Sequence, residues 1–196
     1  MERLQAILKH IVTSFALSLL ISLGQVIWGA GGAAYALDDL RLADLFDQLA
    51  TAPRDEAGQI ESEIALELAR SGSDAMDLLL ERGEAALEAQ DTETAIAHFT
   101  ALVDHAPDFA AGYNGRATAY YMAGLVGPAV QDIARVLALE PRHFGALSGL
   151  ALILEETGDP EGALEVLRQV TEIHPYMEGL SDRIARLELA LQGVAL

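Results

Sequence analysis

Five histidines, His10, His98, His105, His143 and His174, are the side chains best suited to hold a metal or to move a proton near neutral pH. Their spacing serves neither purpose. No HExxH occurs, and beyond His10 no two histidines stand four apart, the separation that puts two imidazoles on one helical face. His105 and His143 fall near the ends of the helical segments described below and read as exposed polar residues. The chain has no cysteine, which excludes disulfides, thiolate metal sites and a thiol nucleophile. Ser148 lacks the GxSxG turn that would present it as a nucleophile. Lys9 is the only lysine, no GxxxxGK[ST] surrounds it, and the glycine-rich stretch at 29–32 lies far from it. Carboxylates abound, with Glu155 beside Glu156 and Asp38 beside Asp39, but a general acid–base pair needs two environments that drive the pKa values apart. At this density acidic residues read as a solvated face. The expectation is therefore no catalytic residue, no metal and no cofactor.

The charge balance narrows the partners. Thirty acidic residues against twelve basic ones leave a formal net charge of −18, so binding nucleic acid by phosphate neutralisation is excluded, as are anionic lipid head groups. A field of that sign raises the encounter rate with basic partners and fades as salt shortens its reach.

Residues 1–36 differ from everything after them. Arg3, Lys9 and His10 make a basic start, Ile11 to Leu37 carries no charge, and the segment ends in the small-x-small triplet Ala34, Tyr35, Ala36. These are the parts of a secretory signal cut after Ala36, which would place the remainder in the periplasm or outside the cell. The same run is longer than the roughly 20 residues that span a bilayer. An uncleaved inner-membrane anchor is thus the alternative expectation.

The rest of the chain repeats itself. Pro107, Pro141 and Pro175 are spaced by 34 residues, and other positions fall into the same register. Small residues recur at Gly83, Ala117 and Ala151 and at Ala95, Ala129 and Ala163; bulky ones recur at Leu79, Tyr113 and Leu147 and at Phe99, Ile133 and Leu167. Each unit holds two helical windows, such as Ala110–Ala123 and Pro128–Leu139, parted by a glycine-bearing turn. Asp91 and Asp159 stand where N-caps are needed, and Pro160 occupies a first helical turn, where its missing N–H costs little. One such hairpin cannot bury its apolar face alone, so neighbouring units must stack. The paired small residues then mark the seams of closest approach.

This pattern resembles the tetratricopeptide repeat (TPR) family, with units at 76–109, 110–143 and 144–177. Departures are most frequent in the first unit: Arg82 there, and Arg116 in the second unit, replace a usual leucine at position 7, Ala86 is small at position 11, and Gln90 stands where Gly124 and Gly158 hold the turn. The resemblance implies an all-α, right-handed solenoid of helical hairpins. A degenerate repeat over 37–75 would precede the three, with a short helix near 38–51, a longer one near 55–70 and Asp74 as the next cap. A capping helix near 178–192, inside a tail of 178–196, would follow them.

In such arrays the first helices of successive units line a concave groove, at positions 2, 5, 9, 12 and 13. Carried onto this chain, the groove residues are Leu80, Glu84 and Glu88, with Leu87 beside them; then Asn114, Thr118, Tyr121 and Met122; then Ser148, Leu152, Glu155 and Glu156. Position 2 adds Asp77, Ala111 and Gly145. The mixture is apolar and acidic without a cation. It cannot use the Lys, Arg and Asn side chains by which some family members hold a C-terminal carboxylate; only Asn114 matches. The expected activity is a non-catalytic protein–protein interaction module of the cell envelope, binding a segment with apolar and basic residues. Leu80, Leu87 and Leu152 could instead pack between units. Further alternatives are an inner-membrane-tethered assembly factor, a small-molecule binder and a hydrolase hidden in the solenoid.

Overall fold

The computed structural model describes residues 32–193. Most of the proposed leader, residues 1–31, and the last three residues lie outside that range. The described residues form helices joined by short turns, with no strand among them. None of these helices is long and apolar enough to cross a membrane.

Two compact units divide the chain, one ending at Glu67 and the other beginning at Leu68. The first contains α1 (Gly32–Thr51) and nearly all of α2 (Arg54–Leu68). Helix α1 is the longer of the two, the reverse of the expectation, because its backbone is already helical ahead of residue 38. Leu45, Phe46, Leu49, Ala57 and Ile64 are buried there, and Arg41 reaches Glu67 at 3.1 Å.

The second unit contains α3 (Asp74–Glu88), α4 (Thr92–His105), α5 (Ala110–Met122), α6 (Val126–Leu139), α7 (Phe144–Glu156), α8 (Pro160–Ile173) and α9 (Leu180–Leu191). Its helices pair in sequence, α3 with α4, α5 with α6 and α7 with α8, while α5 also packs on α4 and on α3. The period of 34 is visible in backbone detail. Helices α3, α5 and α7 all end in the same two-bond cap: the amides of Asp91, Leu125 and Asp159 donate to the carbonyls of Ala86, Tyr120 and Leu154, five residues back. The residue before each of these amides takes a left-handed conformation, Gly124 at φ +74°, Gly158 at +81° and, without a glycine's freedom, Gln90 at +59°. Helices α4, α6 and α8 stop two residues ahead of Pro107, Pro141 and Pro175, and the residues preceding these prolines, Ala106, Glu140 and His174, have left helical geometry.

Helix starts are less uniform. Asp91 accepts from the Thr94 amide at 3.1 Å and Asp159 from the Gly162 amide at 3.0 Å, as expected. Asp74 does not cap α3; Ser73 holds the cap position without a side-chain bond, and Asp77 instead accepts from both the amide and the hydroxyl of Ser71. His143 is a correction of another kind. It is buried, and its Nδ1 accepts from the Ala146 amide at 3.2 Å, so a histidine read as exposed is the N-cap of α7.

The seams match. Ala95, Ala129 and Ala163 are each fully buried, as are Leu102, Val136 and Val170. Phe99 lies between Gly83 of α3 and Gly115 of α5, so close that a methyl on either glycine would overlap its ring. Helix α5 thus accepts glycine, at about 1 kcal/mol relative to alanine, in exchange for close approach to a large aromatic. Arg116, the departure at position 7, makes a two-pronged pair with buried Asp132 of α6, Nε to Oδ2 at 2.7 Å and Nη2 to Oδ1 at 2.9 Å, and lies over the rings of Tyr113 and Tyr120.

Candidate functional site

The first helix of each hairpin, α3, α5 and α7, carries the residues expected to line a groove. Leu80 is not among those available to a ligand: it is 5% exposed and packs with Ala86, Ala95, Phe99, Leu102 and Ala119. Leu87 is half-buried against the same cluster. Asp77 is occupied by the Ser71 turn.

What α3 does expose is carboxylate. Glu84 and Glu88 lie one turn apart with Glu81 close by, and partial burial together with the charges of Glu88 and Glu81 pushes the Glu84 carboxyl above its ordinary range. On α5, Asn114 is half-buried, exposed Thr118 donates its hydroxyl back to the Asn114 carbonyl at 3.0 Å, and Met122 is 44% exposed. Tyr121 crosses to the next repeat, its hydroxyl donating to Glu156 Oε1 of α7 at 2.7 Å. That bond holds the phenol proton and raises the Tyr121 pKa.

On α7, Leu152 is 37% exposed and Ser148 and Glu155 are half-buried. Glu155 accepts from Arg183 Nε of α9, a bond absent from the expectation of a groove without cations. Arg183 also points Nη1 at the Ser148 carbonyl, at 3.4 Å, and the Ser148 hydroxyl lies 3.6 Å from Met177 Sδ. Ser148, Met177 and Arg183 border a cleft of about 270 Å³ formed by residues of α7, α8, the Met177–Gly179 turn and α9, Asp182 and Arg186 among them.

The structure therefore joins Tyr121 to Glu156, and Ser148 to Glu155 through Arg183. Arg186 was legible in principle: continuing the 34-residue register to 178 makes α9 a further first helix, with Asp182 and Arg186 at groove positions 5 and 9, whereas Arg183 falls at position 6, outside the groove set. Among the described residues no group of three or more His, Cys, Asp or Glu side chains is arranged to hold a metal ion.

Comparison with known proteins places this geometry. The tetratricopeptide repeat family matches residues 64–108, 80–133 and 117–178. A TPR repeat-containing protein of Rhizobium etli is 34% identical over 154 residues, 78% of this chain and 76% of that protein. Among solved structures, the first TPR of Spaghetti (RPAP3) bound to an HSP90 peptide is similar at TM-score 0.57 and 21% identity, covering 60% of this chain and 93% of that one. The Sgt2 TPR domain of Aspergillus fumigatus is similar at TM-score 0.57 and 23% identity, covering 63% and 86%. With an all-α hairpin stack, a register of 34 and these matches, the chain belongs to the tetratricopeptide repeat family.

Proposed function

We propose that the protein is a non-catalytic interaction module that binds a polypeptide segment bearing apolar and basic residues along α3, α5 and α7. One observation carries the reading. Successive first helices expose large apolar side chains, Met122 and Leu152, beside a rigid aromatic, Tyr121, while α3 offers carboxylates with no cation bonded to them among the described residues. A tyrosine and a thioether suit a contact surface, the one rigid and the other adaptable. The peptide seen with the Spaghetti domain supports a peptide as the class of partner.

A display library of random 12-residue peptides, followed by titration of the best binders, tests this. Selected peptides should be enriched in Lys and Arg next to large apolar residues, and Tyr121→Ala with Met122→Ala should weaken them about tenfold or more. Binding should weaken further as salt rises. Peptides that bind the double variant undiminished would remove the groove assignment.

The same reading puts the protein in the cell envelope, with residues 1–36 as an export signal. Mass analysis of the native N-terminus tests it: a start at Leu37 supports cleavage. An intact leader supports the tethered alternative.

A further inference from the structure

The turn between α5 and α6 interrupts the charge of the array. Residues 117–131 carry no charged side chain, whereas the same register holds four acidic residues at 83–97 and five at 151–165. Ala123, Gly124, Leu125 and Pro128 are exposed on this turn, Leu125 at 46%. The hairpins stack with their turns side by side: α5 packs on both helices of the first hairpin, and Tyr121 at the turn end of α5 bonds Glu156 at the turn end of α7. An uncharged apolar edge therefore stands between two acidic turns.

Leu125 is also a poor residue for the helix it begins. Asp91 and Asp159, 34 residues to either side, cap α4 and α8 by accepting from the Thr94 and Gly162 amides, but Leu125, at the N-cap of α6, makes no side-chain bond. Leucine there forgoes a cap and holds a large apolar group half in water, so neither helix nor core accounts for it. Adjoining exposed apolar groups mark contact surfaces, and Leu125 follows the exposed groove residue Met122 by three positions.

We infer that Leu125 docks a large apolar side chain of a polypeptide whose neighbouring residues are basic. The turn offers no charge to pair with, which selects the apolar side chain. The acidic turns beside it repel an acidic neighbour in the partner and favour a basic one. The first hairpin attracts the more strongly, because a cation there relieves the repulsion that Glu81 and Glu88 impose on Glu84. A second copy of this chain, at a formal net charge of −18, is disfavoured by the same flanks. That the partner is a polypeptide rests on the groove reading; the uncharged edge and its missing cap do not.

Amide NMR of the purified chain with three blocked pentapeptides tests the edge. The first reads arginine, alanine, leucine, alanine, arginine; the second has alanine in place of leucine; the third has glutamate in place of both arginines. The first should shift the amides of Ala123 through Gly127 in a saturable way, and the other two should bind about tenfold more weakly or worse. Leu125→Asn and Leu125→Ala should each weaken the first peptide by about tenfold, yet the asparagine variant should melt about 3 °C above the alanine variant because it supplies the cap. Undiminished binding in both variants, equal binding of the three peptides, or shifts confined to α3 and α7 would overturn the inference. Equal melting of the two variants would do the same, since leucine would then forgo nothing. Shifts of these amides with protein concentration alone would make a second copy the occupant and also overturn it. The groove reading fails separately: a loss in the Leu125 variants with none in Tyr121→Ala, Met122→Ala keeps the edge and removes the groove, and the converse keeps the groove and removes the edge.

Discussion

Replacing His143 with asparagine removes a titrating group from the N-terminus of α7 but keeps a side chain that can cap it. In the native chain the imidazole is 8% exposed and its Nδ1 must be unprotonated to accept from the Ala146 amide. Burial holds its pKa down at about 4, against an ordinary 6.5. Below pH 6.5 the unfolded chain therefore takes up a proton that the folded chain refuses, and stability falls with pH until both states are protonated near pH 4. The drop integrates to about 3 kcal/mol, with 1.36 kcal/mol for each unit of difference. Above pH 6.5 the contribution is complete and flat. The assay is urea unfolding of the native chain and of His143→Asn at intervals from pH 7.5 to 4. Carboxylates titrate in both proteins, so the difference between the two curves isolates the imidazole, and any packing lost with the ring appears as a constant offset. The native chain should lose about 3 kcal/mol more than the variant across the window. A difference that stays constant with pH would mean that His143 takes up its proton in the fold as readily as in the unfolded chain, and the buried-cap account would be refuted.

Three further outcomes follow from the packing. Gly115→Ala, which drives a methyl into the Phe99 ring, should lower stability by about 1–3 kcal/mol in thermal melts, and adding Phe99→Leu should recover part of the loss by vacating the space. Arg116→Leu restores the family's usual apolar type at position 7 yet strands Asp132, so it should cost about 3–5 kcal/mol, while Arg116→Leu with Asp132→Leu should cost much less; a double-variant cost equal to the sum of the two single costs would show the pair is not coupled. Gln90→Gly should stabilise by about 1 kcal/mol in denaturant titrations, because the residue already sits at φ +59°, where a side chain is strained.

Positions that face another hairpin were readable because the same contact is made three times. Ala95, Ala129 and Ala163 are all fully buried, so the seam writes itself into the spacing, and the prolines and the turn glycines do the same for the helix ends. Residues that act once leave no such trace. His143 gives no signal as a cap because the usual capping types are Ser, Thr, Asp and Asn, and its equivalent at the start of α5 is Phe109, which makes no side-chain cap. Leu80, at position 5, is buried with Ala86, Ala95 and Phe99, whereas the polar residues at the same position in the next two units, Asn114 and Ser148, are half-buried. Arg183 belongs to the helix expected only to cap the last hairpin, and no repeat position marks it as the partner of Glu155.

The same contrast bears on where binding specificity resides. Packing dictates Phe99, Ile133 and Leu167 alike, so these cannot distinguish one partner from another. The residues that break the period do differ along the array: carboxylates on α3, Tyr121 and Met122 on α5, and Glu155 and Glu156 on α7. Both acidic groups on α7 are already bonded within the fold, Glu156 by the Tyr121 hydroxyl and Glu155 by Arg183. A cation approaching α7 meets carboxylates that already accept a hydrogen bond within the fold, whereas at α3 it relieves repulsion among Glu81, Glu84 and Glu88. Carboxylates at the two ends therefore have unequal effect. Glu84→Gln with Glu88→Gln should then reduce both affinity for a basic peptide and its salt dependence, and Glu156→Gln should change neither by more than about twofold, since an exposed hydrogen-bonded pair contributes little net free energy. A larger loss from Glu156→Gln would place the cation site at α7 and reverse the asymmetry.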